Sequence, residues 1–295
     1  MMGYSAVWRG WTYIQSQRFF FRGMRSLTTV SSATKLIEVS TAAIDKFCVT
    51  TISLKRQPVN SFNIALTSEL TSTLIDVEKS GQTDAVIITS DIPGVFSAGL
   101  DLNDLYQTSR THLESFWKCV QDMWIQLYST KLPTVAAING HCLAGGTIIA
   151  SSCDHRIAVE GDYSLGVTAA KVGVIAPPWF LKMLTFLMGH RQTELALQQG
   201  KAFIPEEARK IGLVDEICAP ELLQTKCTEA LQPYLNTFPE ARAHMKLSLR
   251  AKLIDEFLQS RDEDMDKFVS FVLRDSVQNQ LGSYVQKLKN KSSKM

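Results

Sequence analysis

Between residues 47 and 54 apolar and polar side chains alternate along FCVTTISL, the period-two pattern of a strand. Pro58 to Asn63 breaks the pattern, and from 64 to 78 Leu66, Leu70, Leu74 and Val77 recur at helical spacing until Gly81 stops the run. AVIITS at 85–90 then predicts a second strand. Phe116, Trp117, Val120, Met123, Trp124 and Leu127 make the apolar face of a helix over 113–128. PTVAAI at 133–138 predicts a third strand, followed by a short helix near 147–152 and another strand over 155–159. Beyond Pro177-Pro178 the pattern is helical apart from a strand-like 214–218. Strands alternating with helices imply an α/β class with mostly parallel pairing. Periodicity alone leaves a doubly wound sheet open.

Two of these strands run into glycine turns that open helices: DIPGVFSAGLDL at 91–102 and NGHCLAGGT at 139–147. Glycine lets main chain approach a ligand closely, and the first turn of a helix carries N–H groups without intrahelical partners. Two such turns aimed at one point would supply two donors to a single oxygen, an oxyanion hole, and so point to chemistry at a carbonyl. Ser97, Ala98 and Gly99 shape the first turn, and Asp101 is placed to cap the helix that follows.

Other chemistries lack their residues. No G-x-S-x-G elbow, no G-x-G-x-x-G after a strand and no Walker lysine motif occurs. His141 and Cys142 are adjacent and cannot form an oriented base–nucleophile pair by themselves, so His141 reads as a turn residue. Cys48, Cys119, Cys142, Cys153, Cys218 and Cys227 are scattered without metal-ligand spacing and read as small buried hydrophobes in a reduced compartment; no metal site is expected.

Charge changes the picture only at the ends. The formal net charge of +2 is weighted by Arg9, Arg18, Arg22 and Arg25, which precede the first acid, Glu38; setting those four aside leaves 27 basic against 29 acidic residues. A near-neutral body gives no nucleic-acid surface. The arginine-bearing, acid-free start has the composition of a mitochondrial presequence, and the terminal Ser293-Lys294-Met295 lies one residue from a peroxisomal signal. No apolar run reaches the length of a membrane span, so a soluble protein is expected.

FSAGLDL, GHCLAGG, KVGVIAPPW and EEARKIGLVDEI, in this order and spacing, resemble the crotonase (enoyl-CoA hydratase/isomerase) superfamily, above all its mitochondrial Δ3,Δ2-enoyl-CoA isomerase branch. The resemblance covers residue 44 to the C-terminus. It implies a crotonase-like spiral of ββα repeats with a C-terminal helical module. Residues 1–34 would be the presequence, 35–238 the spiral core and 239–295 the helical module, which in this family covers the active site and makes trimer contacts. It further implies an acyl-CoA thioester as partner, with coenzyme A part of the substrate and no separate cofactor, a homotrimer, and the mitochondrial matrix, with the peroxisome as the rival address. Leu100 and Gly145 would hold the thioester oxygen, Ser97, Ala98, Gly99 and Asp101 would complete the substrate-binding turn, and Lys55 and Arg56 would suit the coenzyme A phosphates.

One residue is out of pattern. The isomerase base is a glutamate four residues before the glycine matched here by Gly173, and that count lands on Ala169. The second glutamate of the hydratases falls on Ile148. Thr168 and Ala170 do not rescue the base, and a helix-period argument points Lys171 away from it. Two expectations follow: an enoyl-CoA isomerase homologue of fatty-acid β-oxidation with weak or lost turnover, or a non-catalytic acyl-CoA binder or assembly subunit.

Overall fold

The computed structural model describes residues 35–292. The expected presequence, residues 1–34, and the terminal Ser293-Lys294-Met295 lie outside them. A six-stranded sheet runs in the order β1 (Ile37–Ile44), β2 (Phe47–Leu54), β3 (Ala85–Ser90), β5 (Thr134–Ile138), β7 (His155–Val159) and β10 (Glu216–Cys218). Only β1 and β2 pair antiparallel; every other neighbour is parallel. A smaller sheet is ordered β4 (Gly94–Ser97), β6 (Gly140–Leu143), β8 (Leu165–Gly166) and β9 (Ala202–Phe203). Three of the four strands of the small sheet follow one of the large sheet in the chain, so β3–β4, β5–β6 and β7–β8 are successive turns of one spiral, and β9 adds an antiparallel edge to β8. The architecture is the crotonase-like α/β spiral, not a doubly wound sheet.

Several elements coincide with the hydrophobic pattern and others extend it. The helices are α1 (Ile64–Ser80), α2 (Leu102–Leu105), α3 (Arg110–Tyr128), α4 (Gly145–Ser152), α5 (Ala169–Val172), α6 (Pro178–Met188), α7 (His190–Gln199), α8 (Pro205–Lys210), α9 (Leu223–Leu235), α10 (Pro239–Val272) and α11 (Asp275–Ser292). β1, with all but its first residue partly or fully exposed, shows no alternation and was not legible as a strand. His141 is a strand residue of β6 rather than a turn residue, because its neighbours pair with β4 and β8. Helix α4 begins two residues before the expected start, at Gly145 itself.

Both faces of the large sheet are covered, as parallel strands require. Alternate residues divide between two cores. Ala85 and Ile87 of β3, with Val135 and Ala137 of β5, pack under Cys227 and Leu231 of α9. Val86, Ile88, Ala136 and Ile138 face the main core with α1, α3 and α4. Helix α10 closes that core through aromatic packing on α3. The Trp117 ring stacks on Phe268 at 3.6 Å between centroids, and Trp124 meets Phe257 edge-on at 4.7 Å, while Trp179 of α6 stacks on the same Trp124 at 4.4 Å. Buried Asp264 accepts hydrogen bonds from Trp117 Nε1 (2.9 Å), Gln121 Nε2 (2.8 Å) and Trp179 Nε1 (3.4 Å), so the indole donors are satisfied inside the core.

Arg242, Lys246 and Arg250 lie on one face of α10 at four-residue spacing. They donate to Lys131 O, Leu132 O and Tyr128 O respectively, carbonyls at or just beyond the end of α3, and Arg250 also reaches Ser152 O at the end of α4. Cations capping helix C-termini are favourable with the dipole. Among the described residues, no helix is long and apolar enough to cross a membrane.

Candidate functional site

The site is assembled from main chain. Residues 97–101 are stitched to the loop after β2: Ala98 N donates to Val59 O (2.9 Å), Phe62 N to Gly99 O (2.6 Å) and Asp101 N to Phe62 O (2.8 Å). Gly99 N donates to Ser97 Oγ (3.1 Å), which itself donates to Asn60 O (2.7 Å). This stitching uses the amides on either side of Leu100 and skips that of Leu100. Asn60 anchors the arrangement. Fully buried, with a positive φ of 49°, it donates through Nδ2 to Ser90 Oγ (2.8 Å) and Phe96 O (3.0 Å). Asparagine tolerates this left-handed conformation better than most residues. Nothing in the sequence pattern singled it out.

The second turn meets the first backbone to backbone. Ala144 N donates to Gly166 O (2.8 Å) and Ile148 N to Ala144 O (3.1 Å), so the amide of Gly145 lies ahead of the intrahelical ladder of α4. Ala144 holds φ 47° and ψ −104°, unusual for a residue with a Cβ, and this sets the direction in which the Gly145 amide leaves the turn. A Cβ on Gly99 would sit 2.8 Å from Gly145 N, and one on Gly145 would sit 3.1 Å from Gly99 Cα and 2.8 Å from the Phe62 ring. Both positions therefore require glycine. Leu100 N is the next main-chain nitrogen after Gly99 Cα, which brings the two candidate donors onto the same small patch.

Charges beside the patch are paired. Asp101 accepts from Arg56 Nη2 at 2.7 Å and caps α2 by accepting from Asn103 N at 3.0 Å. Arg56 also donates to Ser61 O at 2.9 Å. The residue expected at a ligand phosphate is thus tied to the turn, where it neutralises the carboxylate next to Leu100. Lys55 pairs with exposed Glu38 at 2.7 Å, an exposed pair of the kind worth little. Asp104 of α2 is bonded to His112 at 2.6 Å.

Ala169 begins α5, half-buried against the main core, three residues after the Gly166 carbonyl that receives the Ala144 amide. From Tyr163 to Val174 there is no carboxylate. The stem of Lys171 lies over the turn after α7, where a Cβ on Gly200 would come within 3.0 Å of its Cγ, so the lysine turns away from Ala169. Helix α11 approaches both sides of the site. Gln280 Nε2 donates to Lys171 O (3.1 Å), and Gln278 Nε2 donates to Leu105 O (3.0 Å) at the end of α2.

His141 and Cys142 are not a catalytic pair. His141 Nδ1 accepts from Ser164 N at 3.0 Å, and burial pushes the Cys142 thiol far above its ordinary range. Burial likewise raises the Cys153 thiol to about 12 and the Cys227 thiol to about 12. Of the six cysteines, Cys142, Cys153, Cys218 and Cys227 are buried, whereas Cys48 and Cys119 are partly exposed.

Comparison with known proteins places this geometry. The enoyl-CoA hydratase/isomerase family matches residues 45–293. Human mitochondrial enoyl-CoA delta isomerase 1 is 38% identical over 242 residues, 82% of this chain and 80% of that protein. The mouse protein of the same name is 36% identical over 244 residues, 82% of this chain and 84% of its own length. The crystal structure of human mitochondrial Δ3-Δ2-enoyl-CoA isomerase superposes with a TM-score of 0.83 at 37% identity, covering 86% of this chain and 98% of that one. An enoyl-CoA hydratase from Bacillus halodurans shares the fold, with a TM-score of 0.74 at 24% identity over 83% of this chain and 99% of that one.

Proposed function

The chain belongs to the enoyl-CoA hydratase/isomerase family, and from that premise we propose that it is an enoyl-CoA delta isomerase homologue of fatty-acid β-oxidation whose expected base is replaced by Ala169. The observation that carries this reading is the contact of the Gly99 and Gly145 turns, which directs the amides of Leu100 and Gly145 to one patch. In the proposed reaction a proton leaves C2 of a 3-enoyl-CoA, and the electrons move onto the thioester oxygen to give a dienolate. Return of a proton at C4 gives the 2-trans isomer. Both amides would donate to the oxygen as its charge grows, and the N-terminus of α4 adds a favourable field. Arg56 supports the same step by cancelling the charge of Asp101, which would otherwise repel the oxyanion.

Acyl-CoA binding then depends on main chain and is retained, whereas turnover suffers. Removing a positioned base typically costs on the order of 10²–10⁴ in rate. A second reading, a non-catalytic acyl-CoA binder or assembly subunit, is favoured by the carboxylate-free segment around Ala169 and by the engagement of Asp101 and Asp104 with Arg56 and His112. A spectrophotometric isomerase assay with a 3-enoyl-CoA decides between them. Weak wild-type activity that rises in Ala169→Glu supports the impaired isomerase. Binding with no turnover in either protein supports the binder. Wild-type activity equal to a Glu-bearing relative, and indifferent to Ala169, sinks the lost-base proposal.

The proposed location is the mitochondrial matrix, supported by the acid-free start of the chain and by the mitochondrial relatives. A reporter fused to residues 1–35 should enter mitochondria. Peroxisomal targeting of the full chain that disappears on deleting Met295 would favour the rival signal. The proposed assembly is a homotrimer, as the family resemblance implies, and Lys55 and Arg56 remain the proposed contacts for the coenzyme A phosphates.

A further inference from the structure

A cavity of about 330 Å³ opens at the opposite end of α4 from Gly145, roughly 12 Å along the helix. Its polar wall includes Ser151, Asp154, Arg156, Lys246 and Arg250, and its apolar mouth includes Phe186 and Leu249. The oxygens of Asp154 are already engaged. Oδ2 accepts from Thr134 N (2.9 Å) and Lys246 Nζ (2.6 Å), and Oδ1 accepts from Arg250 Nη2 (2.9 Å). Two further polar atoms are not engaged: Ser151 Oγ and Arg156 Nε are buried without a hydrogen-bond partner, although each residue is only 5% exposed. Buried polar groups of this kind normally find a partner.

The chemistry of the wall selects an acceptor. Arg156 Nε–H can only donate, the Ser151 hydroxyl can donate, and Lys246, whose Nζ bonds only Leu132 O and Asp154 Oδ2, keeps a third N–H. Lining cations Arg156, Lys246 and Arg250 outnumber the lining acid Asp154, and the further partner of Arg156, Asp215, still leaves a positive balance. The mouth is apolar: Phe186 is 69% and Leu249 87% exposed. The space equals on the order of ten waters' share of liquid volume, enough for a short aliphatic chain.

We propose that this cavity is a second ligand site, separate from the proposed thioester site, that takes a small organic carboxylate with an aliphatic tail. The carboxylate lies against Ser151, Arg156 and Lys246, and the tail leaves between Phe186 and Leu249.

Calorimetric titration of the full chain with octanoate, beside 1-octanol, tests the assignment. Octanoate should bind once per chain with Kd of about 1 mM or tighter, and octanol about tenfold more weakly. Leu249→Asp, a substitution at an exposed position, should weaken octanoate about tenfold by placing a like charge at the mouth. Ser151→Ala should weaken it about threefold and serves as the second variant if Leu249→Asp disturbs the fold. Prior saturation with octanoyl-CoA should leave octanoate binding intact. The proposal is overturned by no binding near about 10 mM, by equal affinity for octanol, by indifference to both variants or by displacement with octanoyl-CoA. It is equally overturned if octanoate fails to bind and Leu249→Asp lowers the mass in solution, because a second copy of the chain then closes the cavity.

Discussion

Gly145 carries two demands at once. Its amide must stay ahead of the helix ladder, and its missing Cβ makes room for Phe62 and Gly99. Gly145→Ala should therefore destabilise the protein by about 1–3 kcal/mol through overpacking and weaken acyl-CoA binding more than its stability loss explains. Urea unfolding and ligand titration measure the two effects separately. Gly81, where a Cβ would meet nothing within 4 Å, is the control, and Gly81→Ala should leave binding unchanged. At the other end of α4, burial lowers Lys246 to about 8 from 10.5, against the opposing pull of Asp154. A lysine with a folded pKa below its unfolded value is unfavourable while both states are protonated. That penalty is relieved as pH rises from about 8 to 10.5. Thermal unfolding of Lys246→Met should lack the corresponding rise, and wild-type and variant curves that run parallel across this window would refute it. Asp154 behaves oppositely: burial pushes its carboxyl up, but Lys246 and Arg250 outweigh burial and hold it below the usual range. Asp154→Asn should cost about 3–5 kcal/mol by leaving buried cations uncompensated.

At the scale of elements, α10 is fixed by two unlike devices, basic residues on helix ends in its first half and aromatic stacking in its second. Phe268→Ala should cost about 3–5 kcal/mol, read by urea unfolding, because it uncovers the Trp117 ring and leaves a cavity. Loss of under about 1 kcal/mol would mean the stack adds little. The elements that sequence pattern reveals are those with a strong period or a bounded apolar run. β2, β3 and β7 coincide with their expected ranges, and α3 begins only three residues early, because a helix that buries one face keeps helical spacing, and strands covered on both faces read as short apolar runs between polar breaks. β4, β6 and β8 are two to four residues long and glycine-bearing, too short for a period to develop, and so reached the eye as turns. The pairing of Arg56 with Asp101, 45 residues apart, and the three donors on Asp264, up to 147 residues away, leave no local trace. The two glycine turns were legible because a steric requirement for glycine is local, and the carboxylate-free segment was legible because it is a matter of composition. Their meeting at one patch depends on the spiral.

For the whole molecule, the homotrimer is the proposal most simply tested. Light scattering on the mature chain should return three times the protomer mass, and a monomer would remove that reading. The spiral also sets an order in time. Trp117 and Trp124 are complete as part of α3 long before α10 exists, since Trp117 waits 147 residues for Asp264. At synthesis rates of roughly 5–20 residues per second, that interval lasts about seven to thirty seconds. During it, the nascent chain presents an uncovered aromatic surface while still attached to the ribosome. A chain of this design thus depends on the speed of its own translation, and slow codons placed after α9 would lengthen the period in which a chaperone must shield that surface.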